Sequence, residues 1–173
     1  MTEHLDWTHS VVDIPAGGLQ REREATESER EAVARALGLL ALHRLSARYR
    51  IESIAGDAYR LSGKLRGDVE QACIITLEPV SGMIDATFDV EFWPHLNVAE
   101  SDEDATVLDG PDVERFEHGT LPAGRIVFET FSASLDPYPR RDGVEFKWQD
   151  PRAEEPEKTG PFAALSRLKD KGE

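Results

Sequence analysis

Four stretches of the chain have the apolar and polar spacing of β-strands, and most of them alternate regularly between the two kinds of residue. They cover residues 45–51, 59–66, 69–77 and 84–92. Turn signals rich in Gly, Asp or Pro separate them at 55–58, 67–68 and 78–79. Alternation gives a strand one buried and one wet face, and these strands are consecutive and closely spaced. The pattern therefore predicts an antiparallel β meander or partial barrel.

The segment after residue 27 carries helical spacing instead. Ser28 and Glu31 fit a capping box, in which each side chain satisfies a free backbone N–H at the start of a helix. Val33, Leu37 and Leu40 then follow at helical intervals. The spacing predicts a first helix with an apolar stripe through Leu40 that faces the core.

Two further features complete the predicted set of elements. Residues 7–13 and 19–25 predict an opening hairpin, whose charged second strand is expected at a sheet edge. A second main helix is predicted between Pro122, which suits a first helical turn, and Pro137, which cannot continue a helix.

One segment has almost nothing to bury. Residues 97–118 hold eight acidic side chains against one basic side chain, Arg115, which predicts a mobile acidic loop. We therefore expect a single α+β domain over residues 1–148, with this loop inside it. Residues 149–173 are expected to form a polar linker and a short C-terminal helix.

The composition is that of a globular and strongly acidic protein. The chain has 173 residues, with 20 basic and 34 acidic side chains and a formal net charge of −14. This charge repels phosphate backbones at long range and attracts basic proteins. The single cysteine, Cys73, cannot form an internal disulfide, which suits the reducing cytosol. Because the sequence shows neither a signal peptide nor an apolar stretch of membrane-spanning length, we predict a cytoplasmic protein with no membrane contact.

A basic patch is predicted on the hairpin around Gly56. A three-residue loop at 56–58 would place Arg50 opposite Lys64 and Arg48 opposite Arg66. Like charges directly opposite destabilise a sheet by about a few tenths of a kcal/mol per pair. Because an anionic partner would relieve this repulsion, these four residues form a candidate phosphate-binding patch. In the alternative interpretations the face is simply solvated, or the acidic loop neutralises it.

A second candidate lies in the motif Asp-Pro-Tyr-Pro-Arg at 136–140. The two prolines hold the backbone extended and present the ring of Tyr138 rigidly. Tyrosine and arginine are favoured anchors at interfaces, so Asp136, Tyr138 and Arg140 form a candidate interface. The alternative is a helix stop that tucks Tyr138 against the sheet.

The sequence contains no motif for catalysis, cofactor binding or metal binding. Asp85, Asp89 and Glu91 could together hold a cation, but their spacing also follows from a half-exposed strand. Cys73 lies in an apolar stretch, which favours core packing over nucleophilic work. One cysteine and five scattered histidines cannot supply the four ligands of a structural zinc site. We therefore predict a protein that is not an enzyme and that needs no cofactor and no metal.

Three motifs, taken in their order and spacing, resemble the YceD family of bacterial proteins. They are Cys-Ile-Ile-Thr-Leu-Glu-Pro-Val at 73–80, Asp-Pro-Tyr-Pro-Arg at 136–140 and Pro-Phe-Ala-Ala-Leu at 161–165. With the opening hairpin and the Glu- and Arg-rich helix, the resemblance spans nearly the whole chain. Other branches of the family carry paired cysteines at the central strand. This chain has Thr76 where the partner of Cys73 would be, so the resemblance implies no metal site here.

The resemblance implies a non-enzymatic binding protein that is needed for accumulation of large-subunit ribosomal RNA. Its expected partner is ribosomal RNA or a basic protein of ribosome assembly or RNA processing. The alternative is an acidic, protein-only adaptor that holds a basic partner through its acidic loop without RNA contact. A small-ligand-binding or hydrolytic enzyme is a third class, which a deep polar cavity would favour.

Overall fold

The computed structural model describes residues 4–94, 111–115, 119–146 and 148. This part of the chain has a mixed α+β fold, as predicted. Its strands are β1 (Thr8–Ser10), β2 (Leu19–Glu24), β3 (Ala41–Ser53), β4 (Tyr59–Ala72), β5 (Pro79–Trp93), β6 (Asp112–Arg115) and β7 (Thr120–Pro122). Its helices are α1 (Glu27–Leu37) and α2 (Ala123–Ala133), with short 3-10 turns at Val11–Asp13 and Ala55–Asp57.

Five strands form one open sheet in the order β2-β3-β4-β5-β6. Neighbours are antiparallel except β5 and β6, which run parallel. The charged strand β2 lies at the edge, as predicted, but it pairs with β3 and not with residues 7–13. β1 pairs instead with β7, so the predicted opening hairpin is wrong. Both pairings join segments that are separated by other elements, and local alternation cannot reveal such non-local partners.

The meander consists of three long strands where four shorter ones were predicted. No turn occurs at Gly67, which pairs with Leu45 on one side and Ile84 on the other. Glycine at this position leaves room for the ring of Phe131, because a Cβ there would lie 2.6 Å from Cε2 of Phe131. The predicted strand 69–77 is also wrong beyond Ala72, where β4 ends and the chain turns toward β5.

The core lies on one face of the sheet. α2 packs against β4, β5 and β1, and α1 packs against β3. Buried side chains come from alternate positions of the long strands, from α2 and from the N-terminal segment: Leu5, Trp7, Leu45, Tyr49, Ile51, Leu61, Leu65, Val90, Phe92, Val127 and Phe131. The intervening positions of β3 and β4 face away from this core and carry the charged side chains, as the alternation predicted.

The first helix begins two residues before the predicted capping box. Thr26 is the N-cap: its hydroxyl accepts from the Glu29 backbone N–H at 3.3 Å, and the Glu29 carboxylate accepts from the Thr26 N–H at 2.8 Å. Gly38 ends the helix in the left-handed conformation, with φ at +66°. Leu40 therefore lies beyond the helix and is 51% exposed, so its predicted place in the core stripe is wrong.

Part of the predicted acidic loop is ordered structure. Asp112–Arg115 forms the edge strand β6, and Glu114 makes an ion pair with Arg125 of α2. Residues 97–110 and 116–118 lie outside the described residues, as do the predicted linker and the C-terminal helix after residue 148. The second predicted helix is observed as α2, after Pro122 and before Pro137.

Candidate functional site

The four residues of the predicted basic patch share the outer face of the sheet, which is the face opposite the core. Their register differs from the predicted one. The pairs across β3 and β4 are Arg48 with Lys64, Arg50 with Ser62, and Ser46 with Arg66. One pair of like charges therefore lies directly opposite, where two such pairs were predicted.

The turn between β3 and β4 explains the shift in register. Its apex is Gly56, whose φ of +78° costs glycine nothing, whereas the predicted loop centred on Asp57. The backbone N–H of Ile54 donates to the carbonyl of Ala58 at 2.8 Å, so the connection spans five residues and not three. Moving the centre of the turn by one residue moves each cross-strand partner by two, which keeps every residue on its face.

Carboxylates on the strands neutralise most of this patch. Three of its four members are ion-paired: Arg48 Nη2 with Glu22 Oε2 at 2.9 Å, Arg50 Nε with Glu52 Oε1 at 2.7 Å, and Arg66 Nε with Asp85 Oδ2 at 2.9 Å. Among the described residues, no carboxylate lies within 4 Å of the Lys64 ammonium. Among the described residues, the carboxylate partners of Arg48, Arg50 and Arg66 all lie on strands of the sheet. The outer face is therefore a lattice of both signs of charge.

The acidic residues of β5 belong to the same lattice. Asp89 accepts two hydrogen bonds from Arg60, at 2.7 and 2.5 Å, and Asp85 is bound to Arg66. The hydrogen bonds with Asp89 raise the pKa of Arg60 above its ordinary value. Within the described ranges, no three His, Cys, Asp or Glu side chains gather in a group that could hold a metal. These carboxylates are therefore engaged as ion-pair partners.

A cleft of about 340 Å³ opens on this outer face, and Arg48, Lys64 and Arg66 line it together with Glu22 and Asp68. Its walls carry both signs of charge. The cleft suits a partner of mixed charge better than a phosphate backbone, which needs a surplus of cations.

Two substitutions on β4 separate repulsion from pairing. Lys64→Gln removes a charge that faces Arg48 and has no described carboxylate partner, so stability is expected to stay the same or rise slightly. Arg66→Gln, two residues away, breaks the pair with Asp85 and is expected to lower stability by less than about 1 kcal/mol. Urea unfolding of both variants at low salt checks this. A larger loss in Lys64→Gln than in Arg66→Gln would contradict the observed pairing.

A different surface forms where the β4–β5 connection meets the segment after α2. The Ile74 backbone N–H donates to the Pro139 carbonyl at 2.9 Å. The Gln71 amide donates to the Asp136 carbonyl at 2.9 Å. Arg141 pairs with Glu78 at 2.6 Å. Two segments far apart in the sequence are thus fixed to each other at one end of the sheet.

This end surface, which we define as Ile74, Leu77, Tyr138 and Arg140, exposes apolar groups on a fixed backbone. Leu77 is 75% exposed, Tyr138 68% and Ile74 45%. Tyr138 is not packed against the sheet, which was the alternative interpretation. Its ring is exposed to solvent, as the interface interpretation expects. Asp136 has a structural role, because its carboxylate accepts from the Tyr138 backbone N–H at 2.8 Å. Arg140 is exposed.

Leu77 combines exposure with backbone strain. Its φ is +62°, in the left-handed region that costs a residue with a Cβ about 1–2 kcal/mol. Because most of its side chain is in water, burial does not offset this cost. The Leu77 backbone N–H donates to the Cys73 carbonyl at 2.9 Å and closes the turn, and residues in sparsely populated backbone regions cluster at sites of function.

Beneath the end surface, Cys73 is held by hydrogen bonds. The side chain is fully buried, as predicted, but it lies in the connection after β4 and not in a strand. The Thr76 hydroxyl and the backbone N–H groups of Arg141, Thr76 and Ile75 donate to its sulfur and lower its pKa to about 6, while burial acts in the opposite direction. Because Arg141 belongs to the segment after α2, the Cys73 sulfur contacts both segments.

This thiolate predicts a pH-dependent stability. The pKa falls from 9.0 in an unperturbed thiol to about 6 in the folded chain. The stabilisation is therefore complete above pH 9 and is lost as pH falls toward 6. The stability difference between the wild type and Cys73→Ser is expected to grow in favour of the wild type from pH 6 to pH 9. Urea unfolding across this range checks it, and a constant difference would contradict it.

Sequence reasoning missed a cluster on the inner side of the edge strand. His9, Arg21, Arg23 and Tyr49 lie together there, and the Tyr49 hydroxyl is 2.9 Å from Nε2 of His9. The alternation in β2 carried a signal, since Leu19, Arg21 and Arg23 fall on one face. His9 arrives from β1, and its position depends on the non-local pairing of β1 with β7.

Comparison of the chain with protein-family models, with curated proteins and with solved structures found no match. Neither of the two described helices is long and apolar enough to cross a membrane.

Proposed function

We propose that this chain is a non-enzymatic binding protein of the YceD type that acts in biogenesis of the large ribosomal subunit. One observation carries the proposal. Segments 73–80 and 136–140, which bear the sequence resemblance, are bonded to each other through Ile74 and Pro139 and form one surface. Motifs that meet in space and project exposed side chains are expected of a binding site.

The end surface has the features of a protein-binding patch. Tyr138 and Arg140 are residue types that dominate binding energy at interfaces, and Leu77 and Ile74 add apolar area. The backbone beneath them is fixed by hydrogen bonds, so little conformational entropy is lost on binding. The charge of −14 attracts a basic partner at long range, such as a ribosome-assembly protein.

The second candidate function is that of a protein-only adaptor, without RNA contact. It is favoured by the outer face, where Arg48, Arg50 and Arg66 already have carboxylate partners. A phosphate backbone gains little from arginines that must first give up these pairs. The partner of the adaptor is the same basic class of protein, attracted by the acidic charge of the chain.

A pulldown from cell extract, with and without nuclease, tests the function and separates the two candidates. Capture of large-subunit assembly proteins that persists after nuclease treatment supports protein contact at the end surface. Capture that nuclease abolishes supports RNA contact. If proteins and RNA of the large subunit are absent from both samples, the proposed function is wrong.

A further inference from the structure

The edge strand β2 presents two arginines on the face that elsewhere in this sheet is apolar. Its register pairs Arg21 with Tyr49 and Arg23 with Ala47. Tyr49 and Ala47 are each only 2% exposed. The alternate residues Glu22 and Glu24 lie on the outer face, where they pair with Arg48 and Arg44. The strand thus separates its charges, with the acids on the outer face and the bases on the inner face.

The two inner-face arginines have no carboxylate partner among the described residues, a property they share with Arg30, Arg35, Arg115 and Arg140. Seven arginines of the described chain have a carboxylate within ion-pair distance: Arg44, Arg48, Arg50, Arg60, Arg66, Arg125 and Arg141. Arg21 donates instead to the Gln20 carbonyl at 3.2 Å, and the guanidinium of Arg23 lies close to the Tyr49 hydroxyl. In a chain with 34 acidic residues, two neighbouring guanidinium groups on one face have no carboxylate partner within its described part.

His9 and Tyr49 complete the cluster with polar groups. The hydroxyl of Tyr49 lies 2.9 Å from His9 Nε2, and the two rings meet edge to face with centroids 5.7 Å apart. Burial, followed by the charges of Arg23 and Arg21, lowers the pKa of His9. Burial raises the pKa of Tyr49. At neutral pH the cluster therefore offers two cations, a phenol and an imidazole, with no anion among its members.

We propose that His9, Arg21, Arg23 and Tyr49 form a binding site for the phosphate group of a small molecule or of a single nucleotide unit in RNA. Guanidinium groups match the oxygens of a phosphate in geometry and charge. The buried phenol fixes the position of the site, since Tyr49 stands on the central part of β3. The site lies on the inner side of β2, apart from the end surface and from the outer-face lattice, so it does not depend on the proposed function.

Titration of the full chain with inorganic phosphate, followed by NMR of the His9 ring, tests the site. In the wild type, phosphate is expected to shift the His9 signals saturably. The Arg21→Gln/Arg23→Gln variant is expected to bind phosphate at least tenfold more weakly. Both arginines are exposed, so the fold is expected to persist. The matched control is Arg35→Gln, an exposed arginine of α1, which is expected to bind like the wild type.

The source of the phosphate is distinguished by competition. If a short single-stranded RNA displaces inorganic phosphate from His9, the site serves a nucleotide unit. If the RNA leaves the phosphate-bound signals unchanged, the site serves a small phosphorylated molecule. The proposal is overturned if phosphate gives no saturable shift at His9, or if the double variant binds phosphate as tightly as the wild type.

Discussion

Replacing Phe131 with alanine is expected to destabilise the domain by about 3–5 kcal/mol, the usual cost of deleting a buried aromatic ring. The ring is fully buried and lies over Gly67 in the middle of β4, where it joins α2 to the sheet. Phe128→Ala on the same helix is the control, because Phe128 is only partly buried and should cost less. Urea unfolding measures both, and equal losses would contradict this account of the core.

A second substitution tests the same contact from the other side. Gly67→Ala in the wild type is expected to be destabilising, because its Cβ would lie 2.6 Å from the Phe131 ring. In the Phe131→Ala background the same change is expected to be neutral or stabilising, since the ring is gone and alanine suits a strand better than glycine. A Gly67→Ala cost that is equal in both backgrounds would mean that Gly67 serves some other purpose.

The Leu77→Gly/Tyr138→Ala variant is expected to weaken capture of the partner by about 30-fold or more, which corresponds to the loss of about 2 kcal/mol at an interface hot spot. Its stability is expected to remain unchanged or to rise by up to about 1 kcal/mol. Glycine relieves the strain at φ +62°, and both side chains are mostly in water.

The control for this variant is Val12→Ala, which removes another exposed apolar side chain away from the end surface. It is expected to capture the partner like the wild type. The double variant is expected to lose binding without losing stability, so a fall in its melting temperature would show that the end surface is structural. Equal capture by all three proteins would rule the surface out as the binding site.

Local pattern sufficed for the fold class and for the faces of the strands. Alternation correctly placed Arg48, Arg50, Lys64 and Arg66 on one exposed face, because the side-chain period of a strand does not depend on its partner. Charge correctly placed β2 at a sheet edge. The face on which a strand residue lies and the edge position of a strand both follow from short stretches of consecutive residues, so a single sequence is enough to predict them.

Register and non-local pairing could not be predicted in the same way. The turn centres on Gly56 and not on Asp57, and this single step moved the partner of Lys64 from Arg50 to Arg48. Gly67 resembles a turn signal, yet its role is set by Phe131, which is remote in the sequence. Two of the carboxylates that neutralise the basic patch, Glu22 and Asp85, come from neighbouring strands, so the patch looked freer in the sequence than it is.

The same limit applies to the two sites. Tyr138 and Arg140 were identified because two prolines mark the motif, but Leu77 was placed in a strand since its left-handed backbone leaves no sequence signal. The cluster of His9, Arg21, Arg23 and Tyr49 needs His9 from β1 beside Tyr49 of β3, and no spacing rule joins those residues. A site whose residues come from different strands can be predicted only after the order of the strands in the sheet is known.

The most direct test of the proposed role in large-subunit biogenesis is a ribosomal subunit profile on a sucrose gradient. It compares cells that carry the wild-type chain, no chain, or the Leu77→Gly/Tyr138→Ala variant at equal abundance. We expect large subunits and their ribosomal RNA to fall in the cells without the chain and in those with the variant, while small subunits are spared. Normal subunit profiles in the cells without the chain and in the cells with the variant would contradict this role in large-subunit biogenesis.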